Sequence, residues 1–207
     1  MIRELPFIHF DIDGQDYYGG DQEWFDSHWA RQAGCASVLA ANLYCVYEGQ
    51  LDMSYENYRM LMDEMFTIFT PGVLGFPFYN KFAVLFIRFM MEQGVVLEPV
   101  IYGRADDPGD DFAFIKDCID HQMPIGMLVL THRHKDLEED RWHWMCITGY
   151  VEEGNKKEVI VSSCGEKVTF DADVLFDPHP LNVVRMVSFK SNQDQSAGGS
   201  SDMDSIS

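Results

Sequence analysis

The hydrophobic pattern of the chain changes its period near residue 122. Before that point, apolar residues recur at helical spacing over about residues 33–48, 54–70, 80–93 and 111–121, and "LEPVIYG" predicts a strand. Afterwards come five β-rich runs, most of them separated by turn signals: "PIGMLVLTH", "WHWMCITGYV", "KEVIVSSCG", "EKVTFD" and "NVVRMVSFK". Helices first and strands afterwards predict an α+β fold, with N-terminal helices packed on a C-terminal antiparallel β-sheet.

The two ends of the chain differ in composition from the segments between them. Residues 1–28 are rich in glycine and acidic residues, as in "DIDGQDYYGGDQEW", and we expect them to be irregular. The last segment, "SNQDQSAGGSSDMDSIS", is Ser-, Gly- and Asp-rich, which is typical of disorder. A length of 207 residues suits one domain. We therefore predict a single domain over residues 1–190 and a disordered acidic tail over residues 191–207.

The charge balance bears on possible partners. The chain has 34 Asp and Glu residues against 15 Lys and Arg, for a formal net charge of −19. Nucleic acids and anionic membranes both select Lys and Arg, so neither is expected as a partner. The segment "MIRELPFIHFDIDG" lacks the apolar core of a signal peptide, and the longest apolar stretches are shorter than the ~20 residues that span a bilayer. These features predict a cytoplasmic protein without membrane insertion, and they leave the oligomeric state open.

Cysteine and histidine spacings bear on metal binding. The five cysteines are an odd number, and no C-x-x-C pair occurs, so neither a disulfide framework nor a structural zinc site is expected. The H-x-H pair His132 and His134 lies in the loop "THRHKDLEEDR", without a further Cys or carboxylate at a diagnostic spacing. We predict neither a metal nor a cofactor.

Cys35 is the thiol in the most suggestive position. In "WARQAGCASVLAANLYC" it follows a glycine and begins the first long helix. Free cysteines are often inert core residues. At a helix N-terminus, however, unpaired N–H groups and the positive end of the helix dipole favour the thiolate. Cys35 is therefore a candidate nucleophile, and its own N–H is a candidate donor to an oxyanion.

A thiol nucleophile needs a base, and His143 is the candidate. It opens the strand "HWMCITGYV" after a long polar loop and before bulky apolar residues. An imidazole in this position needs either a structural hydrogen-bond partner or a catalytic task. If the two residues are neighbours, we expect the pKa of Cys35 to be lowered and that of His143 to be raised, because thiolate and imidazolium stabilise each other.

The order of these residues resembles that of the papain-like cysteine peptidases. In that superfamily a cysteine begins the first long helix, and a histidine followed by apolar residues and Gly-Tyr begins a later strand. "CASVLAAN" and "FIKDCIDHQMPIGMLVL" are similar to stretches of the bacterial branch that includes the double-glycine leader peptidases. The resemblance covers residues 24–187. It implies a papain-like fold with Cys35 as nucleophile and His143 as base.

Two positions depart from the family pattern. The stretch "VSSCG" resembles the family's Asn-Ser-Trp-Gly, with Ser162 at the position of the Asn that orients the histidine. The family's oxyanion glutamine usually stands six residues before the cysteine, where this chain has Trp29, while Gln32 is three residues before it. The resemblance therefore implies that Ser162 holds the imidazole, and that either Gln32 or the Trp29 indole is the second oxyanion donor.

The resemblance implies a cysteine hydrolase that cleaves a peptide or amide bond through an acyl-enzyme. Cys35 would attack the carbonyl, and His143 would take the thiol proton and give it to the leaving amine. Two alternatives stay open. One is an acyl transferase or non-peptide amidase on the same fold. The other is a catalytically inactive relative that serves as a binding or scaffold domain, which the serine at position 162 and the displaced glutamine favour.

Overall fold

A computed structural model describes residues 1–102 and 110–191. The predicted α+β fold is confirmed, because six α-helices combine with a mostly antiparallel sheet in these residues. The helices are α1 (His28–Ala33), α2 (Cys35–Tyr47), α3 (Tyr55–Ile68), α4 (Tyr79–Glu92), α5 (Asp111–Asp120) and α6 (Ala172–Leu175). The strands are β1 (Ile2–Glu4), β2 (His9–Ile12), β3 (Gln15–Tyr18), β4 (Leu97–Tyr102), β5 (Ile125–Thr131), β6 (His143–Glu153), β7 (Lys156–Ser163), β8 (Glu166–Asp171) and β9 (Val183–Ser191). Residues 192–207 of the expected tail lie outside the described residues.

Seven strands form the main sheet, in the order β4-β9-β5-β6-β7-β8, with β1 added beside β6. Strand β6 is central because β5 pairs with its first half and β1 pairs with its second half along the same edge. On the other edge of β6, the hairpin to β7 contains a register shift between Ile147 and Gly149. The start of β6, and with it His143, is fixed by pairing with Val129 of β5.

Alternation along β6 divides the core into two layers. Trp144 and Cys146 pack with the buried residues of α2, α3 and α4. Met145 and Ile147 point to the opposite face, where α5 and α6 cover the sheet. The helical first half of the chain thus supplies one layer, and two later helices supply the other. No helix in residues 1–102 and 110–191 is long and apolar enough to cross a membrane.

Helix α2 is buried on nearly all sides, since ten of its thirteen residues are buried. Small residues such as Ala36 and Ala40 allow it to contact both α3 and β6. The sequence predicts a helix over residues 33–48, and the structure differs only in a break at Gly34, which caps α2. A Cβ at Gly34 would lie 2.5 Å from the Ala30 carbonyl oxygen, so only glycine fits the junction of α1 and α2. This junction makes Cys35 the first residue of α2.

The prediction that residues 1–28 are irregular is wrong. This segment holds β1 and the hairpin β2–β3, whose turn residues Asp13 and Gly14 have φ values of 55° and 83°. Asp-Gly is a strong hairpin signal, but each strand has only four residues, so the alternation is too short to identify. The hairpin directs the following loop against α2 and β7.

Candidate active site

Cys35 and His143 line the same pocket. Cys35 begins α2 and His143 begins β6, and the pocket between their elements is narrow, with a cavity volume of about 10 Å³, which is room for about one water molecule. The other residues that line it are Gly20, Gln22, Val38, Leu39, Asn42, Trp144, Cys146, Ser162 and Cys164. The structure therefore brings together the two residues on which the chemical hypothesis depends.

The thiol of Cys35 is buried next to backbone N–H groups. Cys35 is 8% exposed. The backbone amides of Trp144, Ala36 and Cys35 itself are close enough to its sulfur to favour the thiolate. Desolvation is the larger effect, and it raises the pKa of Cys35 above its ordinary value. The proximity of the Trp144 amide also shows that the sulfur lies beside the start of β6.

His143 is held through its Nε2 atom. This nitrogen lies 3.1 Å from Ser163 Oγ and 3.7 Å from Cys164 Sγ. Neither contact uses Nδ1, so this second nitrogen is the one left to exchange a proton with a ligand. Desolvation of the partly buried ring lowers the pKa of His143 to about 4.

The electrostatics of the pocket differ from the expected thiolate–imidazolium pair. Burial raises the pKa of Cys35 and lowers that of His143, so near neutral pH both groups carry no charge. Within the described residues, no hydrogen bond joins the two side chains and no carboxylate hydrogen-bonds to His143. The expected shifts require a direct charge–charge contact, and desolvation outweighs the helix dipole when that contact is missing.

Ser162 does not make the expected contact with His143. Its hydroxyl donates instead to the Tyr18 carbonyl oxygen at 2.7 Å. In a regular hairpin Ser162 would share a face with His143, but the bulge between Ile147 and Gly149 shifts the pairing of β7 by one residue. Ser163 faces the imidazole for this reason.

The two expected oxyanion donors, Gln32 and Trp29, lie on the outer side of α1. The buried residues of this helix are Ala30 and Ala33, so Gln32 and Trp29 point outward, and Trp29 is 45% exposed. Neither belongs to the described residues that line the pocket. Two side-chain amides line the pocket, those of Gln22 and Asn42, and the Oδ1 of Asn42 already accepts two hydrogen bonds.

Gln22 is a site residue that the sequence analysis missed. It begins the 3₁₀ turn Gln22–Trp24, and its Oε1 is buried without a hydrogen-bond partner among the described residues. An unpaired buried amide costs free energy, which a bound ligand can recover. A half-turn of the terminal amide presents its NH₂ group in place of the oxygen. Gln22 stands thirteen residues before Cys35, so no family spacing identifies it.

The loop that carries Gln22 is fixed on α2 by two glycines. A Cβ at Gly19, whose φ is 83°, would lie 2.6 Å from Ser162 Oγ. The N–H of Gly20 donates to Asn42 Oδ1 at 3.0 Å, and the Tyr58 hydroxyl donates to the same oxygen at 2.6 Å. In the sequence, the consecutive glycines Gly19 and Gly20 are the one local sign that the backbone of this loop packs closely against its neighbours.

Cys164 is the second thiol beside the imidazole. Desolvation, with a smaller contribution from the Asp21 carboxylate, raises the pKa of Cys164 to about 12. The φ of Cys164 is 48° and that of Trp142 is 63°, so both residues have a left-handed backbone. Trp142 precedes His143 and Cys164 follows Ser163, so each of the two hydrogen-bonded residues has one such neighbour. Such strained residues cluster at functional sites.

In the described ranges, no three His, Cys, Asp or Glu side chains are placed to hold a metal ion.

Comparisons with known proteins assign no family to the chain. No protein-family model matches it, and no curated protein matches it. The functional hypothesis therefore depends on the chemistry of the pocket.

Proposed function

We propose that the protein is a papain-like cysteine hydrolase that cleaves a peptide or amide bond through an acyl-enzyme. The observation that carries the proposal is the pocket shared by Cys35, at a helix N-terminus, and His143, at the start of a buried strand. Nucleophilic catalysis by a thiol requires this combination of a sulfur near N–H donors and an imidazole with a free nitrogen. The α+β arrangement and the chain order of the two residues support the papain-like assignment.

The uncharged resting pair favours general-base catalysis over attack by a preformed thiolate. His143 takes the proton of the Cys35 thiol at Nδ1 as the sulfur forms its bond to the substrate carbonyl carbon. The carbon–nitrogen bond then breaks, and the imidazolium gives its proton to the leaving amine. Water attacks the thioester with His143 again as base, which releases the acid and restores the thiol.

The pocket also offers donors to the oxyanion. Cys35 and Ala36 are the first two residues of α2, and their N–H groups lie beside the sulfur. Gln22 provides a side-chain amide on the same pocket. Donors fixed in a buried site stabilise the tetrahedral intermediate with little reorganisation. We assign Gln22 the role that the sequence analysis gave to Gln32 or Trp29.

Ser163 is the residue that we assign to orienting His143. Its hydroxyl fixes Nε2, which sets the plane of the ring. A hydroxyl stabilises the imidazolium less than a carboxylate does, so we expect slower turnover than a site with an Asp.

A catalytically inactive binding domain is the second candidate. It is favoured by the raised pKa of Cys35 and the pKa of about 4 for His143, which leave little reactive thiolate. Such a domain would retain the pocket and bind a peptide without cleaving it. An acyl transferase would form the same acyl-enzyme but pass the acyl group to an amine instead of water.

Incubation with a library of proteome-derived peptides tests the proposal. New peptide termini, identified by mass spectrometry, should appear with the parent protein and with Cys164→Ser, and not with Cys35→Ser. Cys164→Ser is the matched control because it removes the other thiol near His143. Cleavage that survives Cys35→Ser would contradict the proposal, as would the absence of cleavage by the parent.

A further inference from the structure

An exposed apolar surface lies beside the candidate active site, in the loop between α3 and α4. We call Val73, Leu74 and Phe78 the apolar rim. Their exposed fractions are 94%, 67% and 64%. Large apolar side chains with this exposure so close together are typical of interaction sites.

The exposure of the apolar rim is a property of a tight turn. The N–H of Gly72 donates to the Gly75 carbonyl, and the N–H of Gly75 donates to the Gly72 carbonyl, both at 2.9 Å. These reciprocal bonds hold Val73 and Leu74 at the tip of a two-residue turn. The turn therefore holds the two side chains exposed to solvent, and a ligand that binds them does not have to order the loop first, which would cost conformational entropy.

A single tryptophan links the apolar rim to the pocket. The Trp144 indole N–H donates to the Phe76 carbonyl oxygen at 2.7 Å in a buried hydrogen bond. The same ring stacks on Phe82 of α4, with 4.7 Å between centroids. Trp144 also lines the pocket directly after His143. The backbone N–H of Trp144 lies beside the Cys35 sulfur, so one buried residue spans the distance between the pocket and the loop that carries the rim.

Lys81 supplies a positive charge beside the apolar rim. It lines a groove of about 490 Å³ together with residues 70–78, and its Nζ lies 5.3 Å from the centre of the Phe76 ring. No carboxylate in the described part of the chain forms an ion pair with it. In a chain with a net charge of −19, such a lysine on an apolar groove complements a carboxylate of a ligand.

We propose that the apolar rim and Lys81 bind a segment of the peptide substrate in which a carboxylate follows apolar residues. This inference rests on the proposed function and names the substrate class of the same site. A second copy of the chain would bring a further charge of −19 to the surface, and an anionic membrane would be repelled likewise. An apolar peptide segment with one or two carboxylates can pair with Lys81 and adds far less negative charge than a second copy of the chain would.

The test uses the Cys35→Ala protein and fluorescence polarisation. The probe is the fluorescein-labelled peptide Gly-Leu-Phe-Leu-Glu-Asp, and its matched forms replace Glu-Asp with Lys-Lys or Leu-Phe-Leu with Ser-Asn-Ser. The first peptide should bind, and each replacement should weaken binding. Val73→Asp and Lys81→Glu should each raise the Kd by about tenfold, which corresponds to the loss of a modest contact. Val96→Asp, at a site 55% exposed, should leave the Kd unchanged.

Three outcomes would overturn this inference. The first is no binding of the acidic peptide, or equal binding of all three peptides. The second is that the parent self-associates in sedimentation velocity and Val73→Asp makes it monomeric. The third is that the parent co-sediments with phosphatidylcholine vesicles and Val73→Asp abolishes this binding. Binding does not need a reactive thiol, so peptide binding without cleavage by the parent would overturn only the proposed function.

Discussion

The imidazole Nε2 of His143 lies 3.1 Å from the hydroxyl oxygen of Ser163, across the gap between β6 and the end of β7. This contact fixes which nitrogen is occupied and which one is free to exchange a proton. It exists because the bulge between Ile147 and Gly149 shifts β7 by one residue. The orientation of the proposed base therefore depends on a backbone irregularity several residues away.

Replacing each of the two neighbouring serines with alanine should separate their roles. Ser163→Ala removes the hydroxyl that orients His143, and we expect kcat/KM to fall by about fivefold, the equivalent of one neutral hydrogen bond. Ser162→Ala leaves the Tyr18 carbonyl without its donor, so it should reduce the free energy of unfolding by about 1 kcal/mol with little change in kcat/KM. Steady-state kinetics and urea denaturation measure the two effects. The reverse pattern would contradict the assignment.

Gln22 should contribute more to catalysis than either donor expected from the family spacing. Gln22→Ala removes the side-chain amide from the pocket, and loss of an oxyanion donor lowers kcat by about 10²–10³. Gln32→Ala is the matched control, since the same amide on the exposed side of α1 should be dispensable. Equal kcat values for the two variants would remove Gln22 from the oxyanion site.

Local signals in the sequence are sufficient to place Cys35 and His143. A glycine before a helical run marks the start of α2, and a polar ring before apolar alternation marks the start of β6. Both signals report the boundary of an element, and both boundaries agree with the structure. The α+β class follows from the change of period for the same reason.

The remaining site residues depend on tertiary features that no local pattern reports. Ser163 replaces Ser162 because of a bulge, and a shift of one residue reverses the faces of a strand. Gln22 enters the pocket because a missed hairpin directs its loop onto Asn42 of α2. The resting charge state depends on burial, whereas the sequence pattern indicates only the helix dipole and a neighbouring charge.

Acid should destabilise the protein through His143. Its pKa is about 4 in the folded state and near 6.5 when unfolded, so the unfolded state binds more protons between these values. Stability is fully present above pH 6.5 and falls as pH drops towards 4, by at most about 3 kcal/mol. His132, whose pKa burial also lowers, acts in the same direction. Urea denaturation should therefore show a smaller loss between pH 7 and pH 4.5 for His143→Gln than for the parent. If the free energy of unfolding fell equally with pH in the parent and in His143→Gln, the ring of His143 would be solvated and its pKa would not be lowered by burial.

Cys164→Gly should stabilise the protein. Residue 164 has a φ of 48°, which glycine adopts without the penalty that a Cβ brings. We expect a gain of about 1 kcal/mol in the free energy of unfolding, reduced by the greater freedom of glycine in the unfolded chain. Cys164→Ala keeps the Cβ and serves as the control for loss of the thiol. Greater stability of the alanine variant would show that the turn is unstrained.

The rate at which Cys35 is acylated tests the pairing of Cys35 and His143 most directly. With p-nitrophenyl acetate, the parent should release p-nitrophenolate as it gains one acetyl group, which peptide mapping should locate on Cys35. His143→Ala should slow this step by about 10²–10⁴, the usual contribution of a general base, and added imidazole should restore part of the rate. Acylation of Cys164 in place of Cys35, or equal rates for the parent and His143→Ala, would contradict the account.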